Sequence, residues 1–258
     1  MNWNNHSARL RATLALGLAL ALIGTSPGIV GANAGSQKPG PIKSGAGPGW
    51  PSRLSPSDFV SRVDNPFFPL QPGSVYHYKG LEGHTKTIDV VRVTHRTKRI
   101  LGVEATVVHD VVSKNGRPEE KTNDFYAQDR HRNVWYFGEA TRTLDRHGHT
   151  LSTEGSFQAG VHGARPGVLI PGHPKVGQTA RQELFRGHAE DQFKVLDLNA
   201  DVSVPFVSSH HALRTNETTP LEPNVVDNKY YVRGIGSVHE VTVKGPTERL
   251  KLVSFKKG

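Results

Sequence analysis

From Asn65 onward the chain is a succession of short runs rich in β-branched and aromatic residues, each closed by turn residues. No stretch keeps a 3.6-residue apolar period over three turns, so helices cannot supply the core. The runs fall at 74–79, 87–94, 100–113, 121–128, 133–137, 194–206, 225–233, 237–243 and 249–255. Between VVHDVVS and EEKTNDFYA stands Asn115-Gly116, two residues that tolerate positive φ and so predict a type I′ hairpin. Only 58–63 and 207–214 leave room for a short helix each. The expectation is a mainly antiparallel, all-β domain.

Spacing within the domain suggests that it is built twice. Pro72-Gly73-Ser74 and Val176-Gly177-Gln178 both open strands, and Tyr126 and Tyr230 stand before a turn and a following Val, at Val134 and Val238. Ile88–Val93 and Phe193–Leu198 share one apolar–polar pattern at nearly the same offset. Residues 66–140 and 170–243 therefore read as diverged copies of one β-meander, joined by a connecting hairpin and loop over 141–169. Two such copies form either one strongly curved sheet, a half-barrel, or two sheets facing each other as a β-sandwich. The curved sheet is preferred here. The Gly- and Pro-rich run AGVHGARPGVLIPGHP reads as a crossover loop, with a lid over a cleft as its functional alternative.

The first thirty-four residues read as an address. Arg9 and Arg11 precede the charge-free apolar run Ala12–Gly24, Pro27-Gly28 break it, and Ala32-Asn33-Ala34 offers small residues for signal peptidase. Cleavage after Ala34 would release a secreted or envelope-associated protein; an uncleaved N-terminal membrane anchor is the alternative. Gly24-Thr25-Ser26-Pro27-Gly28 matches a nucleophile elbow by letters only, since Pro27 lacks the N–H an oxyanion hole needs. Residues 35–57, rich in Gly, Pro and Ser, read as a flexible linker, leaving 58–258 as the β domain.

Composition excludes several classes. There is no cysteine, hence no disulfide, no thiolate metal site, no cysteine nucleophile and no lipid-acceptor thiol. The net charge of +9 comes from scattered Lys and Arg in runs no longer than two, which is not a nucleic-acid footprint but favours anionic envelope polymers or headgroups. Histidine is abundant, yet His147, His149, His210 and His211 lack a third ligand at useful spacing, so no metal and no cofactor are expected.

Two sets of residues remain as candidates. Glu183, Glu190 and Asp191 fall close together, with Asp124, Asp129 and Glu139 flanking the aromatic strand, and paired carboxylates can serve as acid and base in hydrolysis. Trp135, Phe137 and Tyr230 are candidates to line an apolar groove on the concave face.

Several phrases carry a likeness: DNPFFPLQPGSVYHYKG, DFYAQDRHRNVWYFGE, AGVHGARPG, RQELFRGHAED and KYYVRGIGSVHE. With these the chain resembles a group of exported bacterial β-domain proteins without an assigned activity, over Asp64 to about Leu252. Val202-Ser-Val-Pro205 followed by KYYVRGIG is also similar to periplasmic half-barrel domains of the lipoprotein-carrier type, although Phe206 stands where a small residue is expected. The resemblance implies fold and compartment and carries no catalytic residue. The functional expectation is non-enzymatic binding of an apolar or amphipathic ligand, or of an envelope component, in a curved-sheet groove. A carboxylate-dependent hydrolase acting on envelope material and a packed structural or interaction module are the alternatives.

Overall fold

A computed structural model describes residues 40–258, so the apolar run and the cleavage site at Ala34 lie outside the described residues. Thirteen strands follow one another in a continuous antiparallel sheet. In chain order they are β1 (Val75–Glu82), β2 (Thr85–Ile100), β3 (Val103–Lys114), β4 (Arg117–Asp129), β5 (Val134–Leu144) and β6 (Arg165–Ile170). The second half holds β7 (Thr179–Arg181), β8 (Glu183–Leu184), β9 (Gln192–Ser203), β10 (Ser208–Thr218), β11 (Val226–Val232), β12 (Gly236–Lys244) and β13 (Glu248–Lys256). Asn115 and Gly116 both have positive φ, 50° and 80°, as the hairpin between β3 and β4 requires. A second turn of that kind, Leu101-Gly102, divides the run expected as one strand from residue 100. Of the segment 207–214, residues 208–214 belong to β10, and the only helical turn near 58–63 is a short 3₁₀ turn at Pro56–Asp58.

The spatial order is β7-β9-β10-β11-β12-β13-β1-β2-β3-β4-β5-β6-β8. Its two edges, β7 and β8, are separated in sequence by Gln182 alone, so the sheet curls until one stretch of chain serves both edges. The result is a nearly closed barrel, with no division into two facing sheets. Gly167 of β6 permits the closure, because a Cβ there would strike the Arg181 carbonyl across the seam. The Gln182 N–H donates to Asp191 O at 2.7 Å on the other side. The crossover expected as loop thus contributes a strand, β6, whose Val168 lies opposite Trp135 of β5.

The stretch expected as a flexible linker is folded onto the outside of this seam. Ile42–Lys43 pairs with Arg53–Leu54, the Gly45 N–H donates to Pro166 O at 2.8 Å, and the Arg181 N–H donates to Ala46 O at 2.9 Å. Ile42 and Ala46 are buried, and Trp50 packs edge-on against Trp135 at 6.4 Å. Gly and Pro here serve tight turns and close approach, and the apolar residues between them anchor the segment.

The two halves open with the same local bonds. Gly73 and Gly177 both have left-handed φ, 89° and 85°. Their N–H groups donate to Val93 O and Val195 O, at 2.9 and 2.8 Å, and Val93 and Val195 donate back to Ser74 O and Gln178 O. One end of the barrel is closed by a small hairpin in which Asp64–Asn65 pairs with Phe68–Pro69. Its Phe67 and Phe68 are buried, and Phe68 meets Tyr126 edge-on at 5.2 Å.

Candidate functional site

Strand alternation decides what fills the barrel. In β2 the buried residues include Thr87, Asp89, Val91 and Val93; in β4 they include Glu120, Thr122, Asp124 and Tyr126; in β11 they are Asp227, Lys229 and Tyr231. Carboxylates and aromatics therefore share one inward face. Near the Phe67–Phe68 plug the interior is apolar and aromatic, with Tyr126 and Tyr136 stacked at 4.9 Å and Tyr76 stacked on Phe255 at 4.6 Å. Toward the opposite end, where the β1–β2 and β3–β4 hairpins turn, it is acidic. From the first half come Asp89, Asp110, Glu120, Asp124 and Glu139; from the second come Glu183, Asp191, Glu217, Asp227, Glu240 and Glu248.

Few partners offset this charge. Lys229 is the only buried cation among the described residues, with its Nζ 3.2 Å from Glu217 and 3.6 Å from Glu240. Burial opposes its charge, but those two carboxylates outweigh burial and raise its pKa. Tyr136 donates to Asp124 at 2.8 Å and Tyr231 donates to Glu217 at 3.1 Å. Both oxygens of Asp89 and both of Glu183 meet no hydrogen-bond donor among the described residues. Such carboxyls are held neutral. Burial pushes Asp89 up to about 7, against a hydrogen bond from Asp110 that lowers it, and pushes Glu120 up to about 7, with the Asp110 carboxyl adding to the rise. Burial likewise drives Asp110, Asp124, Glu139, Glu183 and Asp191 well above the usual carboxylate range. Asp89 and Asp110 lie close enough to share a proton, which supplies the donor the pair otherwise lacks.

The residues singled out from sequence are distributed as follows. Glu183 and Asp191 do come together, inside the barrel, but at 1% and 2% exposure they offer no surface to a substrate. Glu190 stands apart, half-buried in the turn after β8, where it accepts the Gly187 N–H at 2.8 Å. Asp129 caps the β4–β5 turn. Trp135 and Phe137 are wholly buried on the outer face of β5, opposite in direction to Tyr136, beneath Trp50 and Phe59. They pack the N-terminal segment onto the barrel instead of lining its interior. Tyr230 also faces outward and stacks on His239 at 5.5 Å; its neighbour Tyr231 is the inward residue. Tyr231 lies 105 positions after Tyr126, whereas Tyr230 lies 104 after it.

The histidine pairs sit at the surface. Asp145 accepts the backbone N–H groups of His147 and His149, and His210 Nδ1 lies 2.6 Å from Asp201. Among the described residues no three His, Asp or Glu side chains converge to hold a metal ion, and no helix is long and apolar enough to cross a membrane.

The partition of charge is the least expected feature. Of the 23 acidic residues twelve are buried, counting Asp129, against one of the 29 basic residues in the described part. The outer surface thus presents 28 basic side chains against 11 acidic ones. Alternation is readable in strands such as β2 and β11, but which face turns inward is not, because Asp and Glu are ordinarily placed outside.

No protein-family model matches the chain, and no curated protein matches it. Two solved structures resemble it in fold. One is a chain from Bacteroides fragilis described as an exported protein with YmcC-like fold, 14% identical, with a TM-score of 0.44, covering 74% of this chain and 99% of that one. The other is described as a lipoprotein from Parabacteroides distasonis, 11% identical, with a TM-score of 0.43, covering 74% of this chain and 98% of that one.

Proposed function

We propose that this chain is an exported, non-enzymatic binding domain whose basic outer face holds an anionic polymer of the cell envelope. The observation that carries the reading is the charge partition: 28 basic against 11 acidic side chains outside, with the remaining acids enclosed. A field of one sign over a rigid barrel concentrates polyanions and releases their counterions. A ligand inside the sheet has less support, since the cavity at the aromatic end, lined by Phe68, Leu70, Tyr76 and Tyr126 among others, measures about 20 Å³. That is room for one or two water molecules. Hydrolysis by Glu183 and Asp191 has less support still, because substrate would have to reach groups enclosed by the sheet. Export through the apolar run, with cleavage after Ala34, belongs to the same proposal, as does the origin of the two halves as diverged copies. The matched bonds at Gly73 and Gly177 support the second point.

The test is binding of the purified protein to polyphosphate and to polygalacturonate, with neutral dextran as control. Both polyanions are expected to bind, with affinity falling steeply between about 50 and 200 mM salt. Equal retention of dextran, or no binding at the lower salt, overturns the proposal.

A further inference from the structure

The plugged end of the barrel carries a cleft of about 280 Å³ between Pro66, Arg132, Gly172, His173, Leu198 and Arg233. These residues come from five separate segments: the plug hairpin, the β4–β5 turn, the chain after β6, the strand β9 and the β11–β12 turn. We propose that this cleft binds one compact anionic unit, a phosphate or carboxylate borne on a polyol, with Arg233 as the principal cation and Arg132 as the second. The inference rests on the polyanion reading and names the subsite at which one unit of the polymer is held.

Arg233 is the available charge. Its guanidinium lies over the Phe67 ring, 4.3 Å from the centroid, and among the described residues no carboxylate lies within ion-pair distance of it. The ring fixes the planar group without satisfying its five donors. The Gly234 N–H donates to Pro66 O at 2.7 Å, tying this turn to the plug and holding the ring beneath the arginine. An exposed guanidinium held over an aromatic face and left without an anion is prepared for a two-toothed contact with an oxyanion.

Arg132 is placed by a tighter network. Its φ is +65°, a left-handed conformation that an arginine seldom adopts and that the surroundings must hold. Asp129 supplies most of that support, accepting from His131 N, Asn133 N, Asn133 Nδ2 and Trp135 Nε1 at 2.8–2.9 Å. Asn65 Nδ2 donates to Arg132 O at 2.7 Å and to Pro171 O at 3.0 Å, and Gly172 N donates to Asn133 Oδ1 at 2.8 Å. A Cβ at Gly172 would strike the His131 carbonyl, so only glycine lets the chain carrying His173 approach. Arg132 itself spends part of its charge on Asp64, with Nη2 2.6 Å from Asp64 O and 3.4 Å from Oδ1. Pro66 and Leu198 give the cleft an apolar wall, which suits the carbon face of a sugar or polyol ring. Its volume is near the lower bound for small-molecule sites and fits a single residue of a polymer.

The experiment titrates glucose 6-phosphate, glucuronate and glucose into the purified protein by calorimetry, with Arg233→Gln and Lys86→Gln as paired variants. Lys86 is exposed beside the β1–β2 hairpin, at the other end of the barrel, and its loss changes the net charge by the same amount. Both substitutions are at exposed positions, and unchanged thermal melts verify the fold. One or both anionic sugars are expected to bind and glucose is not, the stronger anion telling phosphate from carboxylate. Arg233→Gln is expected to weaken that binding roughly tenfold or more, while Lys86→Gln changes it less than about twofold. No binding by either anion overturns the inference, as does an equal effect of the two variants. In both of those cases retention of polyphosphate by the unsubstituted protein leaves the broader polyanion reading standing, and its absence removes both.

Discussion

Asp89 offers the sharpest prediction, because it is fully buried, its oxygens meet no donor beyond the proton shared with Asp110, and burial pushes it up to about 7 from an ordinary 3.8. The folded protein therefore holds a proton that the unfolded chain has released over that whole interval. Stability contributed by this group is complete below about pH 4 and is lost as pH rises toward 7, after which the loss is constant. A difference of about three pH units corresponds to about 4 kcal/mol, of which about 3 kcal/mol falls between pH 5 and pH 8. For a domain of this size that is roughly 10 °C in midpoint temperature. Glu120, pushed the same way, adds in the same direction, though not additively, since both face Asp110. The assay is thermal and urea unfolding across pH at constant ionic strength, with Asp89→Asn as the partner measurement. Asn keeps the shape and cannot ionise, so the variant should be more stable than the natural chain at pH 8 by about 2–4 kcal/mol and within about 1 kcal/mol of it at pH 4. Stability that rises from pH 5 to pH 8, or an Asn variant weakened equally at both values, would falsify the account of the interior.

Three further outcomes follow from the packing. Lys229→Met should cost about 3–5 kcal/mol at pH 8, where Glu217 and Glu240 lose their shared counter-charge, with the cost shrinking as pH falls; denaturant melts at two pH values check it, and a pH-independent loss counts against it. Trp50→Ala should cost about 2–3 kcal/mol, less than a fully enclosed Trp, because Trp50 is half-buried over Trp135 and its Nε1 donates to Thr179 O at 2.8 Å. A flexible tether would lose nothing on that substitution, so an unchanged midpoint refutes the docked segment. Asp129→Ala strands several buried donors in the β4–β5 turn and should cost about 3 kcal/mol or more; a melt within about 0.5 kcal/mol of the natural chain excludes that role.

The strand content and the hairpin at Asn115-Gly116 were legible because they depend on local chemistry: β-branched runs and a dipeptide that accepts positive φ. Leu101-Gly102 makes the same turn and was not legible, since Leu seldom takes φ near 51° and the apolar run continues on either side. Trp135 and Phe137 show a different limit. Six consecutive residues of β5 are buried, Val134 to Glu139, so alternation is masked, and only tertiary contact shows that one set looks inward and the other lies beneath residues 50 and 59. The Gly- and Pro-rich stretch before residue 57 reads as a tether, although residues 40–57 are docked, for a related reason. Composition reports how freely a chain turns, whereas Ile42, Ala46 and Trp50 report where it is held.

The charge partition joins these points to function. Lys86 and Arg92 alternate with Asp89 and Val91 along β2, so the pleat that buries the acids is the one that displays the bases. A net charge of +9 thus conceals an outer surface with an excess of 17 basic side chains among the described residues. Interior and exterior are consequently separable. Asp89→Asn alters the enclosed face alone, so it should change stability with pH while leaving the salt-dependent affinity for polyphosphate within about twofold. Arg233→Gln should do the reverse, leaving the pH dependence of unfolding intact. If Asp89→Asn instead weakens polyanion binding as much as Arg233→Gln does, the enclosed acids and the basic exterior act as one electrostatic unit, and the assignment of binding to the outer surface fails.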